Sequence, residues 1–227
     1  MKKYRGEKMI IAIDGPSGSG KSSVAKAIAK KLNITHLDTG AMYRLLGYKI
    51  IKDNLDINNI NNINNINNIL KELNIDIVGE KFFLDDIDVT KEIRANNVSM
   101  MASSVSKIKE VREYMVAMQR EISKNKSVIL DGRDIGTVVF PDADIKIYLN
   151  ASASVRANRR YLEDNKLDYN KILEDIIKRD YDDMNREHSP LKKAEDAIEI
   201  NTDNLSFEEV LNNILELVSD YVCVCNN

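Results

Sequence analysis

The chain has 227 residues, 43% hydrophobic and 30% charged, a balance that excludes wholesale disorder and fits one large domain with at most a small appended subdomain. Lys and Arg number 33 against 36 Asp and Glu, a formal net charge of −3. A nucleic-acid binder normally carries a basic excess, so DNA and RNA are not expected as partners and an anionic ligand must meet locally clustered positive charge.

The first apolar run, residues 9–13, is too short for a signal-peptide core of about 7–15 residues. No stretch approaches the roughly 20 apolar residues of a membrane helix. A cytoplasmic protein without a membrane partner is therefore expected. The run 9–13 reads as a strand, and Gly15-Pro16-Ser17-Gly18-Ser19-Gly20-Lys21-Ser22 behind it fits G-x-x-x-x-G-K-[ST], with a helical pattern over 21–32. Strand, glycine loop and helix together make a backbone nest for phosphates at a helix N-terminus. In such a loop Lys21 reaches the β- and γ-phosphates of a nucleoside triphosphate and the Ser22 hydroxyl ligates Mg²⁺. Gly15, Pro16, Ser17, Gly18, Ser19, Gly20, Lys21, Ser22 and Ser23 are the expected nucleotide-binding residues; the plain alternative is a chance glycine-rich turn.

A second strand, 34–37, leads into Asp38-Thr39-Gly40-Ala41-Met42-Tyr43-Arg44. Asp38 or Thr39 can cap a helix over 41–52, which puts a hydroxyl, a ring and the Arg44 guanidinium at the strand end. Arginine suits bidentate phosphate recognition, although Arg44 alone reads equally well as a solvated helix residue. Residues 58–69 repeat Asn-Asn-Ile, with isoleucines at 57, 60, 63, 66 and 69. On an α-helix that stripe drifts by about 60° per repeat, and Asn is a mediocre helix former, so a low-complexity expansion in a tolerant surface helix or loop is expected. Short strands at 75–78, 81–84 and 87–89, joined by Gly79-Glu80 and Asp85-Asp86, read as a small antiparallel sheet.

Helices are expected at 95–104 and 109–123, then a strand at 127–130 that ends in Asp131-Gly132-Arg133-Asp134-Ile135-Gly136-Thr137. An apolar strand closing on Asp131 supplies the Mg²⁺-associated carboxylate that a P-loop needs. Arg133 and Asp134 then project at the carboxyl end of the sheet, where ligands bind in open α/β folds; a polar turn after a core strand is the alternative. Beyond a strand at 145–149, helices at 153–164 and 169–185 carry or adjoin Arg156, Arg159, Arg160, Lys178, Arg179 and Arg186. Taken alone these form a solvated face; beside a P-loop they suggest a lid that closes arginines over phosphates. A strand at 197–200 and a helix at 206–219 complete the pattern. Cys223 and Cys225 match neither CxxC nor a metal knuckle and are read as reduced thiols. His36 and His188 are read as structural or solvated, without catalytic roles.

Alternating strands and helices predict an α/β fold: a five-stranded parallel sheet flanked by helices, with the small antiparallel sheet inserted. The expected core is 1–55 with 105–227, the insert about 56–104, and a short lid about 151–187. No Asn-Lys-x-Asp element for guanine is present. A P-loop kinase for a small hydroxyl acceptor would need a deprotonating carboxylate and no inserted sheet. A nucleotide-binding regulator without turnover is disfavoured by intact Lys21, Ser22 and Asp131.

Six segments in order, 15–22, 37–44, Glu-Ile-Arg at 92–94, Val-Arg-Glu at 111–113, 131–143 and Arg-Ala-Asn-Arg-Arg at 156–160, resemble the bacterial cytidylate kinases over essentially the whole chain apart from the Asn/Ile run. The resemblance implies a P-loop kinase fold whose insert binds the nucleoside monophosphate. It implies transfer of the γ-phosphoryl group of ATP, with Mg²⁺, to CMP or dCMP; a monomer is expected, with no particular residue pointing to it. Lys21, Arg133, Arg156 and Arg160 become the catalytic set, and Ser22 and Asp131 the metal set. Thr39, Tyr43, Arg44, Ser103, Arg112, Asp131, Arg133, Asp134, Arg179, Asp183 and Arg186 become acceptor contacts, with Ser103, Arg112 and Asp134 reading cytosine. Thr39 stands where Ser is also common, and Asp182 and Met184 stand where some members carry Arg.

Overall fold

A computed structural model of the protein describes residues 8–56, 63–163 and 168–225. Its strands are β1 (Ile10–Asp14), β2 (Thr35–Asp38), β3 (Ile75–Val78), β4 (Lys81–Leu84), β5 (Ile87–Asp88), β6 (Val128–Gly132), β7 (Ile145–Asn150) and β8 (Ile198–Asn201). Its helices are α1 (Lys21–Leu32), α2 (Thr39–Lys52), α3 (Ile63–Lys71), α4 (Asn96–Val105), α5 (Lys109–Ile122), α6 (Ala153–Glu163), α7 (Tyr169–Asn185) and α8 (Phe207–Cys225). The chain divides into two compact units, Met1–Leu37 with Ser123–Asn227, and Asp38–Ile122.

The first unit is built on a parallel sheet in the order β2-β6-β1-β7-β8. The central strand β1 is apolar nearly throughout because a parallel strand is buried on both faces. Its register sets Ile13 beside Asp131 and Asp14 beside Gly132 and Tyr148, so polar residues begin at one level, the carboxyl edge. On one face Ile11, Ile13, Ile129, Ile147 and Leu149 pack with Val24 and Ile28 of α1 and Ile214 and Val218 of α8. Each such buried side chain contributes about 1.5–3 kcal/mol of transfer free energy. Elsewhere α6 and α7 pack on each other through Ala157, Ile172 and Ile176, with Tyr161 and Tyr169 edge to face at 6.3 Å. The last helix extends beyond the expected 219 to Cys225 and carries Cys223 as an exposed free thiol. Among the described residues no helix is long and apolar enough to cross a membrane.

The second unit holds the antiparallel sheet β3-β4-β5. Leu84 pairs with Ile87, and the two residues between them, Asp85 and Asp86, both have positive φ, the pattern of a type I′ hairpin. Between Val78 and Lys81 only Gly79 is positive, as a II′ turn requires. The expected insert of about 56–104 falls within this unit, which is broader because the flanking helices pack with it: α2 against α4, and α3 against α5. Residues 57–62 of the Asn/Ile run lie outside the described residues. From Ile63 the run is helical, and the drift of its stripe is cancelled where Leu70 follows Ile69. Ile66 and Leu70 are then buried at i and i+4, and Leu73 is buried just past the helix end.

In this unit α2 crosses α4 closely at Gly47. A Cβ there would stand 3.0 Å from the Ala102 backbone nitrogen and 3.1 Å from the Val98 carbonyl oxygen of α4. Gly47→Ala gains about 1 kcal/mol of helix propensity, but backbone cannot give way as a side chain can, and overpacking costs about 1–3 kcal/mol. The second effect should win, with a net loss on the order of 1 kcal/mol in urea denaturation. A midpoint that stays put or rises would show that the helices separate freely.

Candidate active site

In the first unit β1 runs into the glycine loop at a point where only glycine fits. Gly15 has φ 146°, and a Cβ on it would lie 2.1 Å from the Leu149 carbonyl oxygen of β7. Gly18 and Gly20 also hold positive φ, 78° and 91°, a region that costs other residues dearly. Gly20 caps α1 without a side-chain hydrogen bond, so no capping side chain satisfies the first-turn amides. Lys21 is buried and folds back over the loop, its Nζ donating to the Pro16 carbonyl at 2.6 Å and to Ser19 Oγ at 3.2 Å. Burial first, then the positive Arg133, push its ammonium well below the ordinary lysine range. An arriving polyanion opposes both effects.

Ser22 is exposed and donates from Oγ to Asp131 Oδ2 at 2.5 Å; Asp131 is buried at the end of β6. The other carboxylate oxygen, Oδ1, lies 2.7 Å from Nε2 of His36 on β2. Burial alone would raise the Asp131 carboxyl, but hydrogen bonds from His36 and Ser22 and the charge of Lys21 hold it below the usual range. Asp14, the last residue of β1, accepts from the backbone amides of Ile135 at 2.8 Å and Gly136 at 2.7 Å. It thereby anchors the segment that carries Arg133 and Asp134, which continues as a single π-helical turn, Ile135–Val139. Lys146 of β7 lies under that turn, bonded to Asp196 at 2.7 Å and to the Pro141 carbonyl.

Arg133 donates from Nε to Asp183 of α7 at 2.8 Å. Asp183 would rise with burial, yet Arg133, Arg179 and Arg186 keep it below the usual carboxylate range. Arg186 places guanidinium nitrogens 3.9 Å from Asp134 and from Asp183, and its Nε donates to the Ser189 carbonyl at 2.5 Å. Arg133, Asp134, Asp183 and Arg186 are thus one buried or half-buried group of alternating charge, with Arg179 close enough to Asp183 to act on it.

The basic helix set has several different protein partners. Arg156 spends its guanidinium on protein: the Ala151 carbonyl at 2.9 Å, the Ser17 carbonyl of the glycine loop at 2.9 Å, and both Asp180 oxygens. It thereby braces the glycine loop. Arg159 is tied to Thr202 through its hydroxyl at 3.1 Å and its carbonyl at 2.6 Å. Arg160 is half-buried on the same helix and Lys178 is exposed on α7.

In the second unit Asp38 is the cap, accepting from the Ala41 amide at 2.9 Å, so α2 starts at Thr39, two residues before the expected 41. Its other oxygen accepts from Arg44 at 2.8 Å. Thr39 is buried in the first turn of α2. The buried Arg112 lies 5.8 Å from the centroid of the Tyr43 ring, in cation–π range, and donates to the Ser106 carbonyl at 3.3 Å. Ser103, half-buried on α4, accepts at its carbonyl from the Ser106 hydroxyl at 2.8 Å.

The model of the family described as cytidylate kinase matches residues 11–220. The chain belongs to the cytidylate kinase family. It is 50% identical over 210 residues to a cytidylate kinase of Fusobacterium nucleatum, covering 91% of this chain and 95% of that protein. To a cytidylate kinase of Clostridioides difficile it is 47% identical over 215 residues, covering 93% and 98%. Among solved structures it is similar to a protein of Eubacterium ventriosum, with a TM-score of 0.51 at 15% identity, over 93% of this chain and 99% of that one. The parallel sheet with its glycine loop between β1 and α1, in a chain of this family, gives a P-loop kinase fold.

A cytidylate kinase needs a place for a divalent cation, and the Ser22–Asp131 pair fits one. Mg²⁺ binds through one or two carboxylates plus substrate phosphates and water. Among the described residues no cluster of three or more His, Cys, Asp or Glu side chains stands ready to hold a metal by itself. Three residues that position this site carried no signal in the sequence: His36, Asp14 and Asp180. Each is defined by a partner more than twenty residues away.

The anchor at Asp14 makes a pH-dependent prediction. Burial, only partly offset by the Gly136 and Ile135 amides, raises its carboxyl from 3.8 to about 6. A folded value above the unfolded one contributes stability that is fully present below pH 3.8 and lost as pH rises through about 6. Unfolding free energies of wild type and Asp14→Asn should therefore be compared by urea denaturation at about pH 4 and pH 7. The subtraction cancels the opposite trend of Asp131 and Asp183. The wild-type value relative to the variant should fall by roughly 2–3 kcal/mol across this range; a flat or rising difference would count against the buried anchor.

Proposed function

We infer that this protein transfers the γ-phosphoryl group of ATP to CMP or dCMP, giving ADP and CDP or dCDP. The observation that carries this reading is the convergence of Lys21, Ser22 and Asp131 at the carboxyl edge of the sheet, in a chain of the cytidylate kinase family. The acceptor oxygen belongs to an already ionised phosphate, so its attack on the γ-phosphorus needs no strong base. The bond broken is the one from that phosphorus to the β–γ bridging oxygen, and the electron pair leaves with ADP. Catalysis then consists of positioning and charge neutralisation. Mg²⁺, held by Ser22 and Asp131 when it arrives with the nucleotide, supplies positive charge to the phosphates.

Lys21 supplies the cation of the glycine loop. Arg133 and Arg160 are the proposed charge-stabilising arginines, and Arg156 acts through the loop that it braces. In the first unit Asp134, Arg179, Asp183 and Arg186 are proposed to contact the acceptor nucleotide; in the second, Thr39, Tyr43, Arg44, Ser103 and Arg112. ADP release from ATP·Mg²⁺ with CMP, dCMP, UMP, AMP and shikimate as acceptors tests the assignment. CMP and dCMP should be turned over far faster than the rest, and a preference for AMP or shikimate would overturn it.

Lys21→Ala should fold and lose kcat by at least about 100-fold, because a preorganised positive charge aimed at developing negative charge is removed. Turnover within about tenfold of wild type would contradict that role. Asp134→Ala tests base reading. Cytosine offers an amino donor at C4 where uracil has a carbonyl, so a carboxylate there attracts one base and repels the other. A site with buried polar groups can discriminate by about 10⁴. The variant should lose kcat/KM for CMP strongly and for UMP much less, which narrows the ratio. If Asp134 serves only to hold Arg186, both substrates fall by the same factor and the ratio does not move.

A further inference from the structure

Asp131 is the carboxylate on which the proposed metal site depends, and its two oxygens have different partners. Oδ2 takes the Ser22 hydroxyl at 2.5 Å and Oδ1 takes His36 Nε2 at 2.7 Å. Ser22 sits at the start of α1 and is exposed; His36 sits within β2, next to β6 in the sheet. An ionised carboxylate has no proton to give, so this bond requires the proton on Nε2 of the imidazole.

The terminal torsion of an aspartate is broad and roughly two-fold. A hydrogen bond to each oxygen holds the plane of the carboxylate, and losing one of them loosens it. The Ser22 hydroxyl is also the group asked to turn a lone pair to a cation, which makes it the weaker anchor at the moment of binding. The imidazole is held by strand backbone, with the buried Leu37 following it, and does not have to move. We propose that His36 is a positioning residue for the metal-binding carboxylate, holding Asp131 Oδ1 so that Oδ2 stays turned toward Ser22 and a divalent cation. This rests on the reading of the glycine loop as a Mg²⁺–nucleotide site. Groups that orient a metal-binding side chain typically contribute 10- to 100-fold to metal affinity or activity.

The test uses ADP and Mg²⁺ alone, without acceptor or turnover. The dissociation constant of ADP is measured by titration calorimetry with and without Mg²⁺ for wild type, His36→Phe and His36→Gln. In wild type Mg²⁺ should tighten ADP binding. In His36→Phe, which fills the space without a donor, that Mg²⁺-dependent gain should shrink by about tenfold while metal-free ADP affinity stays within about twofold. His36→Gln, whose side-chain amide can still donate to Oδ1, should recover most of the gain. Should His36→Phe fail to fold, His36→Met provides the same comparison with a flexible, donor-free side chain. An unchanged gain in the donor-free variant overturns the proposal. So does an equal loss with and without metal, or a Gln variant no better than Phe. A wild-type protein with no Mg²⁺ gain at all overturns the reading of the glycine loop itself, a result distinct from any of these.

Discussion

The close passage of Gly15 past the Leu149 carbonyl oxygen is the constraint on which the site depends. There the central strand β1 leaves the sheet between two neighbours, and 2.1 Å from a would-be Cβ to a backbone oxygen leaves no room for any other residue. Because the chain can turn at that point, the residue before it, Asp14, stays in the sheet and receives the Ile135 and Gly136 amides. The residues after it wrap back so that Lys21 folds over Pro16 and Ser22 meets Asp131. One tight backbone contact thus sets the relative position of two loops that are more than a hundred residues apart.

Around that turn the charges alternate. Lys21, Arg133, Arg156 and Arg186 are each matched by a buried or half-buried carboxylate, respectively within the Asp131 and Asp14 field, on Asp183, on Asp180, and near Asp134 and Asp183. Unpaired charges in such a place would cost several kcal/mol each. The net charge of −3 therefore says little about the ligand. What matters is a cation such as Lys21, whose charged form burial and Arg133 disfavour and which a phosphate would stabilise. The same pairing gives arginines that look alike in sequence different partners: Arg156 holds the glycine loop, Arg159 holds Thr202, and Arg133, just past β6, holds Asp183 of α7.

Local signals were legible wherever the constraint is local. The glycine spacing, the capping Asp38, the two-residue turns of the small sheet and the strand that ends in Asp131 all reappear within one or two residues of their expected places. The bonds of Arg156 to Ser17 and Asp180 are not legible in the sequence, because helix periodicity reports which residues share a face and is silent on what that face meets. The Asn/Ile run was readable as tolerant, but its packing through Ile66, Leu70 and Leu73 depends on α5, which no period within the run encodes.

By itself the sequence determined the class of fold, the glycine loop and the identity of the groups that bear charge, because each follows from neighbours a few residues away. Tertiary structure alone decided which oxygen of Asp131 is held by His36, that Asp14 faces amides rather than water, and that Arg156 is spent on Asp180. Those bonds join residues separated by 95, 121 and 24 positions. Hydrogen bonds reach about 3 Å, so only the packed sheet and helices bring such distant groups within range.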